Sequence, residues 1–137
     1  MKKEMIVYSI SDSLGGTSQK LLSAVTAQYP DIIFNNSYRF PFINKEDELL
    51  DILRDAIKDD ALVISTLVDG KLASVAREFS LMHGLSYLDL MHPFFEIIKE
   101  KTGRDPIEVP GTLHRLDSEY FNKISAIEFA VKYDDGK

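Results

Sequence analysis

Short apolar runs alternate with amphipathic stretches along most of the chain. The runs carry many β-branched and aromatic side chains, which is typical of buried strands, whereas the stretches between them repeat apolar positions every three or four residues, as helices do. Strands are predicted at 5–10, 32–34, 61–68 and 86–90, and helices at 21–29, 45–60, 72–82 and 93–102. Pro30 should end the first helix, Gly84 and Gly103 should end the third and fourth, and Pro93 suits the first turn of the fourth. This alternation predicts parallel β–α–β units, and therefore an α/β, Rossmann-like parallel sheet flanked by helices, with a strand order that the pattern leaves open.

Glycines and prolines interrupt the pattern after residue 102, in a stretch that cannot be a regular helix or a central strand. Beyond that stretch, Tyr120, Ile124, Ile127 and Val131 line one face of a predicted long helix. The predicted organisation is an α/β domain at 1–102, a connection at 103–116 and a helix at 117–137.

Composition narrows the class of protein. Hydrophobic residues make up 45% and charged residues 28% of the 137 residues, which suits a folded domain, and no apolar run is long enough to span a bilayer. The net charge of −6 argues against a nucleic-acid or anionic-membrane partner. The absence of cysteine excludes disulfides and thiolate chemistry. We expect a cytoplasmic protein.

The segment between the first strand and the first helix is the main candidate for chemistry. A helix that follows a parallel strand presents unpaired backbone amides, glycines let an anion approach closely, and hydroxyls add donors. The candidate residues are Ser11, Asp12, Ser13, Gly15, Gly16 and Thr17. Neither a P-loop nor a dinucleotide fingerprint is present. Phosphate binding and simple capping of the helix both remain open, and valine at either glycine should impair phosphate-linked activity more than folding.

Other polar residues are weaker candidates. Asp12 suits either a turn or the orientation of a hydroxyl or metal, while His83 and His92 fit capping or surface roles. His114 and Arg115 could contact a phosphate or lie in a solvated loop, and the histidine spacing matches no metal site. We predict no metal-binding residues.

An ordered set of motifs resembles the bacterial pyruvate, phosphate dikinase and phosphoenolpyruvate synthase regulatory proteins. The similarity covers essentially the whole chain, and no single motif in it is specific by itself. The stretches that carry it are 8–17 with 28–30, 40–42, 63–69, Pro110-Gly111 with His114, and 120–136. The chain differs from the family at Leu14-Gly15-Gly16, where Thr-Gly-Glu is more usual.

The resemblance implies a bifunctional enzyme that uses ADP to phosphorylate a threonine of the dikinase or synthase and reverses this with inorganic phosphate, releasing pyrophosphate. It also implies a nucleotide-binding P-loop downstream of Asp134-Asp135-Gly136, toward which the helix at 117–137 would lead. We therefore expect a fragment that is inactive alone, binds neither ADP nor phosphate strongly, and holds no catalytic residue. The dikinase or synthase is the expected partner, and a homodimer is compatible with the motifs.

Within such an enzyme, the Ser11–Thr17 segment would form one wall of the active cleft, with His114 and Arg115 as secondary candidates and Arg39 as a weaker one. The alternative is a self-contained Rossmann-like module that binds a small anionic ligand or a protein partner without catalysis.

Overall fold

The computed structural model describes residues 3–111, and within that range strands and helices alternate strictly. The strands are β1 (Lys3–Ser11), β2 (Ile32–Phe40), β3 (Leu62–Thr66) and β4 (Ser86–Asp89), and the helices are α1 (Gly16–Thr26), α2 (Glu46–Lys58), α3 (Gly70–His83) and α4 (His92–Thr102). The predicted α/β, Rossmann-like architecture is confirmed. His114, Arg115 and the predicted helix at 117–137 lie outside the described residues.

All strand pairs in the sheet are parallel, and the strand order is β2-β1-β3-β4. β1 lies between β2 and β3, and its residues Val7 to Ser11 are buried in succession. A central strand covered on both faces needs no polar alternation, which explains its continuous apolar run. β2 is an edge strand that alternates between half-buried and exposed positions.

The two faces of the sheet are covered unequally. The main core contains Tyr8, Ile10 and Val63 of the sheet and is closed by α2 and α3, whose Leu53 and Ala76 are fully buried. On the other face, the described core consists of Val7, Leu22 and Ile64. α1 supplies Leu22 there, and the cover on this face is thin.

The helix ends follow the predicted signals. Gly84 and Gly103 both adopt left-handed conformations, with φ of 65° and 72°, and end α3 and α4. Pro93 occupies the first turn of α4, where its missing N–H costs no hydrogen bond. None of the helices within residues 3–111 combines the length and apolarity that a membrane crossing requires.

α1 differs from its prediction at both ends. It starts at Gly16, so Gly16 and Thr17 belong to its first turn, and it ends at Thr26 rather than at Pro30. Leu21, Val25 and Tyr29, which repeat at helical spacing, are 43%, 44% and 52% exposed. The buried side consists of Ser18 and Leu22, because a sheet partly covered by one helix requires only a narrow contact stripe.

The segment after α4 has neither helix nor strand from residue 103 to residue 111, as its prolines and glycines predict. An ion pair of 2.9 Å between Lys99 and Asp105 ties its start to α4. Further along, Glu108 accepts a hydrogen bond of 3.0 Å from the backbone N–H of Gly70. The segment therefore returns from α4 to the edge of the sheet where α3 begins.

Candidate functional site

A cavity of about 630 Å³ lies at the carboxyl ends of β1 and β3. The chain leaves β1 toward β2 on one side and later places β3 on the other side, so the loops after β1 and β3 diverge. Such a switch point is where open α/β sheets bind ligands. The lining residues are Ser11, Asp12, Ser13, Gly15, Gly16, Thr17, Lys20, Thr66, Val68, Met91, Phe95, Pro106, Ile107, Glu108, Val109 and Gly111.

The segment from the end of β1 to the start of α1 forms one wall of this cavity and contains all six main candidate residues. The backbone N–H of Ser13 donates to Ser11 Oγ at 3.0 Å, which turns the chain away from the sheet. Gly15 then adopts a left-handed conformation with φ of 84°, and no side chain caps α1. The first turn of α1 therefore presents its amides without a side-chain acceptor.

Ser18 supports this turn from beneath. It is fully buried, its hydroxyl donates to the Gly15 carbonyl at 3.0 Å, and its Oγ lies 3.3 Å from Ser9 Oγ. Gln19 Nε2 also donates to Ser9 Oγ, at 3.0 Å. Nothing in the sequence pattern pointed to Ser18, because a serine on the first turn of a helix usually faces water.

Asp12 connects the two loops that flank the cavity. Its carboxylate accepts hydrogen bonds from the backbone N–H of Val68, at 3.0 and 3.2 Å, and of Asp69, at 3.0 Å. The residue is only 7% exposed. Asp12 is therefore more than a local turn residue, since it positions the start of α3 relative to β1.

The amino ends of α1 and α3 differ in what occupies them. At α3, the Asp69 side chain accepts from the amides of Lys71 and Leu72, and Glu108 accepts from that of Gly70. Carboxylates thus already satisfy the first turn of α3, whereas α1 has no side-chain cap. The free backbone amides and the partial positive charge that would attract an anion in the cavity therefore lie at the start of α1.

Lys20 is the one cationic side chain among the described residues that line the cavity. It lies one turn along α1 from Gly16, so it can compensate the charge of an anion at the helix start. Arg39, the weaker candidate, is not among the lining residues and instead borders a small neighbouring indentation of about 20 Å³.

The two described histidines each contact a backbone carbonyl. His83 Nδ1 lies 2.9 Å from the Phe79 carbonyl, and His92 Nε2 lies 2.9 Å from the Leu67 carbonyl. The contact of His83 with the preceding turn of α3 agrees with the predicted capping role, whereas His92 connects the start of α4 to the residue that follows β3. No group of three or more residues suited to hold a metal ion occurs within residues 3–111.

The wall opposite α1 could not be predicted as part of the site. It consists of Met91 and Phe95 at the start of α4 and of residues 106–109, which the sequence showed only as a connection. Thr66, the last residue of β3, also lines the cavity, because parallel strands end at a common edge of the sheet. The rest depends on where the chain returns after α4.

Comparison with known proteins identifies the family. A family model described as kinase/pyrophosphorylase matches residues 7–137. The chain belongs to the kinase/pyrophosphorylase family. The family match confirms the resemblance that the motifs indicated. The description of this family is that of an enzyme, and the residues that line the cavity lie within the matched range.

Three relatives of this kinase/pyrophosphorylase chain carry the name pyruvate, phosphate dikinase regulatory protein. They come from Streptococcus gordonii, Enterococcus faecalis and Listeria monocytogenes, and they are 96%, 68% and 42% identical to the chain over its whole length. The match covers 51% of each relative. The chain therefore spans about half the length of these curated relatives.

Proposed function

We propose that the chain provides the phosphate-positioning wall of an enzyme that regulates pyruvate, phosphate dikinase or phosphoenolpyruvate synthase in the cytoplasm. One direction would transfer a phosphoryl group from ADP to a threonine of the target and leave AMP. The other would transfer that group from the phosphothreonine to inorganic phosphate, which releases pyrophosphate and restores the hydroxyl. The family match and the relatives' names support this proposal.

The observation that carries the proposal is the uncapped amino end of α1 inside the cavity at the switch point. Backbone amides and the Thr17 hydroxyl would donate to phosphate oxygens, and Lys20 would balance the charge. Asp12 and Glu108 already accept hydrogen bonds from backbone amides, so their carboxylates are held on the α3 side. A volume of about 630 Å³ lies in the range of small-molecule pockets.

Phosphoryl transfer also needs groups that bind the nucleotide and stabilise the transferred charge, which in many enzymes are a P-loop lysine and a metal. The sequence of these residues contains no P-loop motif. We therefore expect the second half of the longer relatives to supply nucleotide binding. The 137 residues alone should bind ADP much more weakly than a protein that includes both halves, as calorimetry can measure.

The test joins these 137 residues to the second half of the Streptococcus gordonii relative and follows dikinase activity with ADP and then with phosphate. Thr17→Val should raise the KM for phosphate at least about tenfold, since a hydrogen bond to a charged group contributes roughly 1.5–3 kcal/mol. Thr26→Val makes the same change at the other end of α1 and should have little effect.

Two outcomes would contradict the proposal. If the joined protein causes no ADP-dependent loss of dikinase activity, the enzymatic role fails, and a binding module for an anion or a protein partner becomes the better description. If Thr17→Val and Thr26→Val change the KM for phosphate equally, the phosphate does not lie at the start of α1.

The glycine test separates into two cases. Gly15 has φ of 84°, so valine there would strain the backbone and reduce stability, which corrects the sequence-based expectation for that position. At Gly16 a Cβ would meet nothing within 4 Å. Gly16→Val should therefore lower phosphate-dependent activity while the melting temperature stays close to that of the parent protein.

A further inference from the structure

The cavity at the switch point has a second, apolar wall opposite α1. Its side chains are those of Met91 and Phe95 at the start of α4 and of Pro106, Ile107 and Val109 in the segment after α4, and we refer to these five residues as the apolar wall. None of these side chains can donate a hydrogen bond to a phosphate. A cavity of about 630 Å³ has room for a drug-sized molecule, so a single phosphate at α1 leaves the apolar wall uncovered.

Contacts with the ends of β3 and α3 hold the apolar wall in place. His92 Nε2 lies 2.9 Å from the carbonyl of Leu67, just after β3, and the His92 ring packs edge-on against the Phe95 ring, with 4.9 Å between the ring centroids. Glu108 accepts its hydrogen bond from the N–H of Gly70, and a Cβ on Gly70 would lie only 2.9 Å from that carboxylate, so glycine permits this close approach. Both parts of the wall are therefore fixed to neighbouring elements, as in a preformed binding surface.

The apolar wall continues from the cavity to the protein surface. Phe95 is half-buried, whereas Ile107 and Val109 are 69% and 38% exposed. A ligand that covers the whole wall therefore extends out of the cavity, which suits a segment of a protein better than an enclosed small molecule. Exposed apolar side chains that adjoin a polar site are also typical of interaction surfaces.

The charges of the cavity favour a ligand with a single phosphoryl group. Among the described residues that line it, Lys20 is the one cation, and it stands against the two carboxylates of Asp12 and Glu108. A nucleoside diphosphate would bring the charge of two phosphates to this lining, with one cation to compensate it. A phosphothreonine with uncharged neighbours would bring one phosphate, which Lys20 and the amides of α1 can hold, and apolar groups for the opposite wall.

We propose that the apolar wall receives uncharged, apolar side chains that flank the target threonine, while α1 holds the phosphoryl group. The ligand is thus a phosphothreonine segment with apolar neighbours, and Phe95 is the residue that determines this specificity, because a large aromatic ring offers the most area for burial. The inference rests on the proposed function and adds to it which part of the target the cavity recognises.

The test compares two synthetic phosphothreonine peptides of equal length and charge, with leucine or serine at the two positions on each side of the phosphothreonine. Each peptide competes with the phosphorylated dikinase in phosphate-dependent dephosphorylation by the joined protein, and its inhibition constant is measured. The constant of the leucine peptide should be at least about tenfold lower, as expected for burial of one large apolar side chain. Phe95→Ala should bring the two constants to within about threefold of each other.

Phe94→Ala is the matched control, since Phe94 is the adjacent residue of α4, is 67% exposed and does not line the cavity. It should keep the tenfold preference. Should Phe95→Ala lower the melting temperature, the exposed Ile107→Ser decides instead, with Ile97→Ser as its control, because Ile97 is 53% exposed and also lies outside the cavity lining.

The inference is overturned if the two peptides inhibit equally, if neither inhibits, or if Phe95→Ala and Phe94→Ala change the preference equally. A higher KM for ADP in Phe95→Ala, with the peptide preference intact, would instead assign the apolar wall to the nucleotide. Dephosphorylation of the dikinase without a leucine preference overturns this inference alone. If the joined protein does not dephosphorylate the dikinase at all, the proposed function fails, and this inference fails with it.

Discussion

Replacing Asp12 with alanine should destabilise the fold itself. The carboxylate is 7% exposed and accepts hydrogen bonds from the backbone amides of Val68 and Asp69, across a separation of more than fifty residues along the chain. Alanine leaves both amides without an acceptor at the junction between β3 and α3. The expected result is a loss of stability that does not depend on phosphate or on any target protein.

The magnitude follows from the two lost hydrogen bonds. Each bond to a charged acceptor contributes roughly 1.5–3 kcal/mol, and water that enters the exposed side of the cavity would recover part of this, so about 3 kcal/mol should be lost in total. For a chain of this size, about 1 kcal/mol corresponds to a shift of roughly 4 °C in Tm. Asp12→Ala should therefore lower Tm by about 12 °C in a thermal melt followed by circular dichroism.

Asp69→Ala is the matched control. Asp69 also accepts from two backbone amides, those of Lys71 and Leu72, but it caps a helix at a more exposed position. Loss of such a cap costs about 1 kcal/mol. If Asp12→Ala lowers the free energy of unfolding no more than Asp69→Ala does, burial does not strengthen the hydrogen bonds between the two loops. That result would refute the structural role assigned to Asp12.

Two further predictions concern the core. Burial raises the pKa of Tyr87 to about 12 from 10.0, although its hydrogen bond with Ser65 acts in the opposite direction. Because the folded state holds the proton more tightly, this stabilisation is full below pH 10 and is lost toward pH 12. Between pH 8 and pH 11, urea unfolding should show that the parent chain loses about 1.4 kcal/mol more than Tyr87→Phe does, while Tyr29→Phe behaves like the parent. The raised pKa of Tyr8 adds the same loss to all three proteins. Leu53→Ala, at a fully buried position, should lower the free energy of unfolding by about 2–5 kcal/mol. Leu81→Ala changes an exposed leucine, and an equally small effect of both substitutions would contradict the assigned core.

Local signals predicted much of the fold. Gly84 and Gly103 end their helices because the left-handed conformation suits glycine, and Pro93 begins α4 because its fixed φ and missing N–H suit a first turn. These preferences belong to the residue and its immediate neighbours. The same holds for the segment from Ser11 to Thr17, whose polar and glycine-rich composition after a strand indicated a candidate anion site.

Contacts between distant residues could not be predicted in this way. The sequence does not show that Asp12 meets the start of α3, or that Glu108 returns to Gly70. It also overstated the role of Leu21 and Val25, which repeat at helical spacing but are half-exposed. Periodicity reports a helix and its apolar side, whereas the area of sheet available determines how much of that side is buried.

The sequence by itself therefore determined the class of fold, the elements and the loop in which to look for chemistry, because periodicity, glycine, proline and hydroxyl groups act over a few residues. The tertiary structure alone decided the strand order, and with it the switch point between β1 and β3. It also decided that carboxylates satisfy the start of α3 while α1 has no side-chain cap. Those outcomes depend on which distant segments meet, and no local preference encodes that.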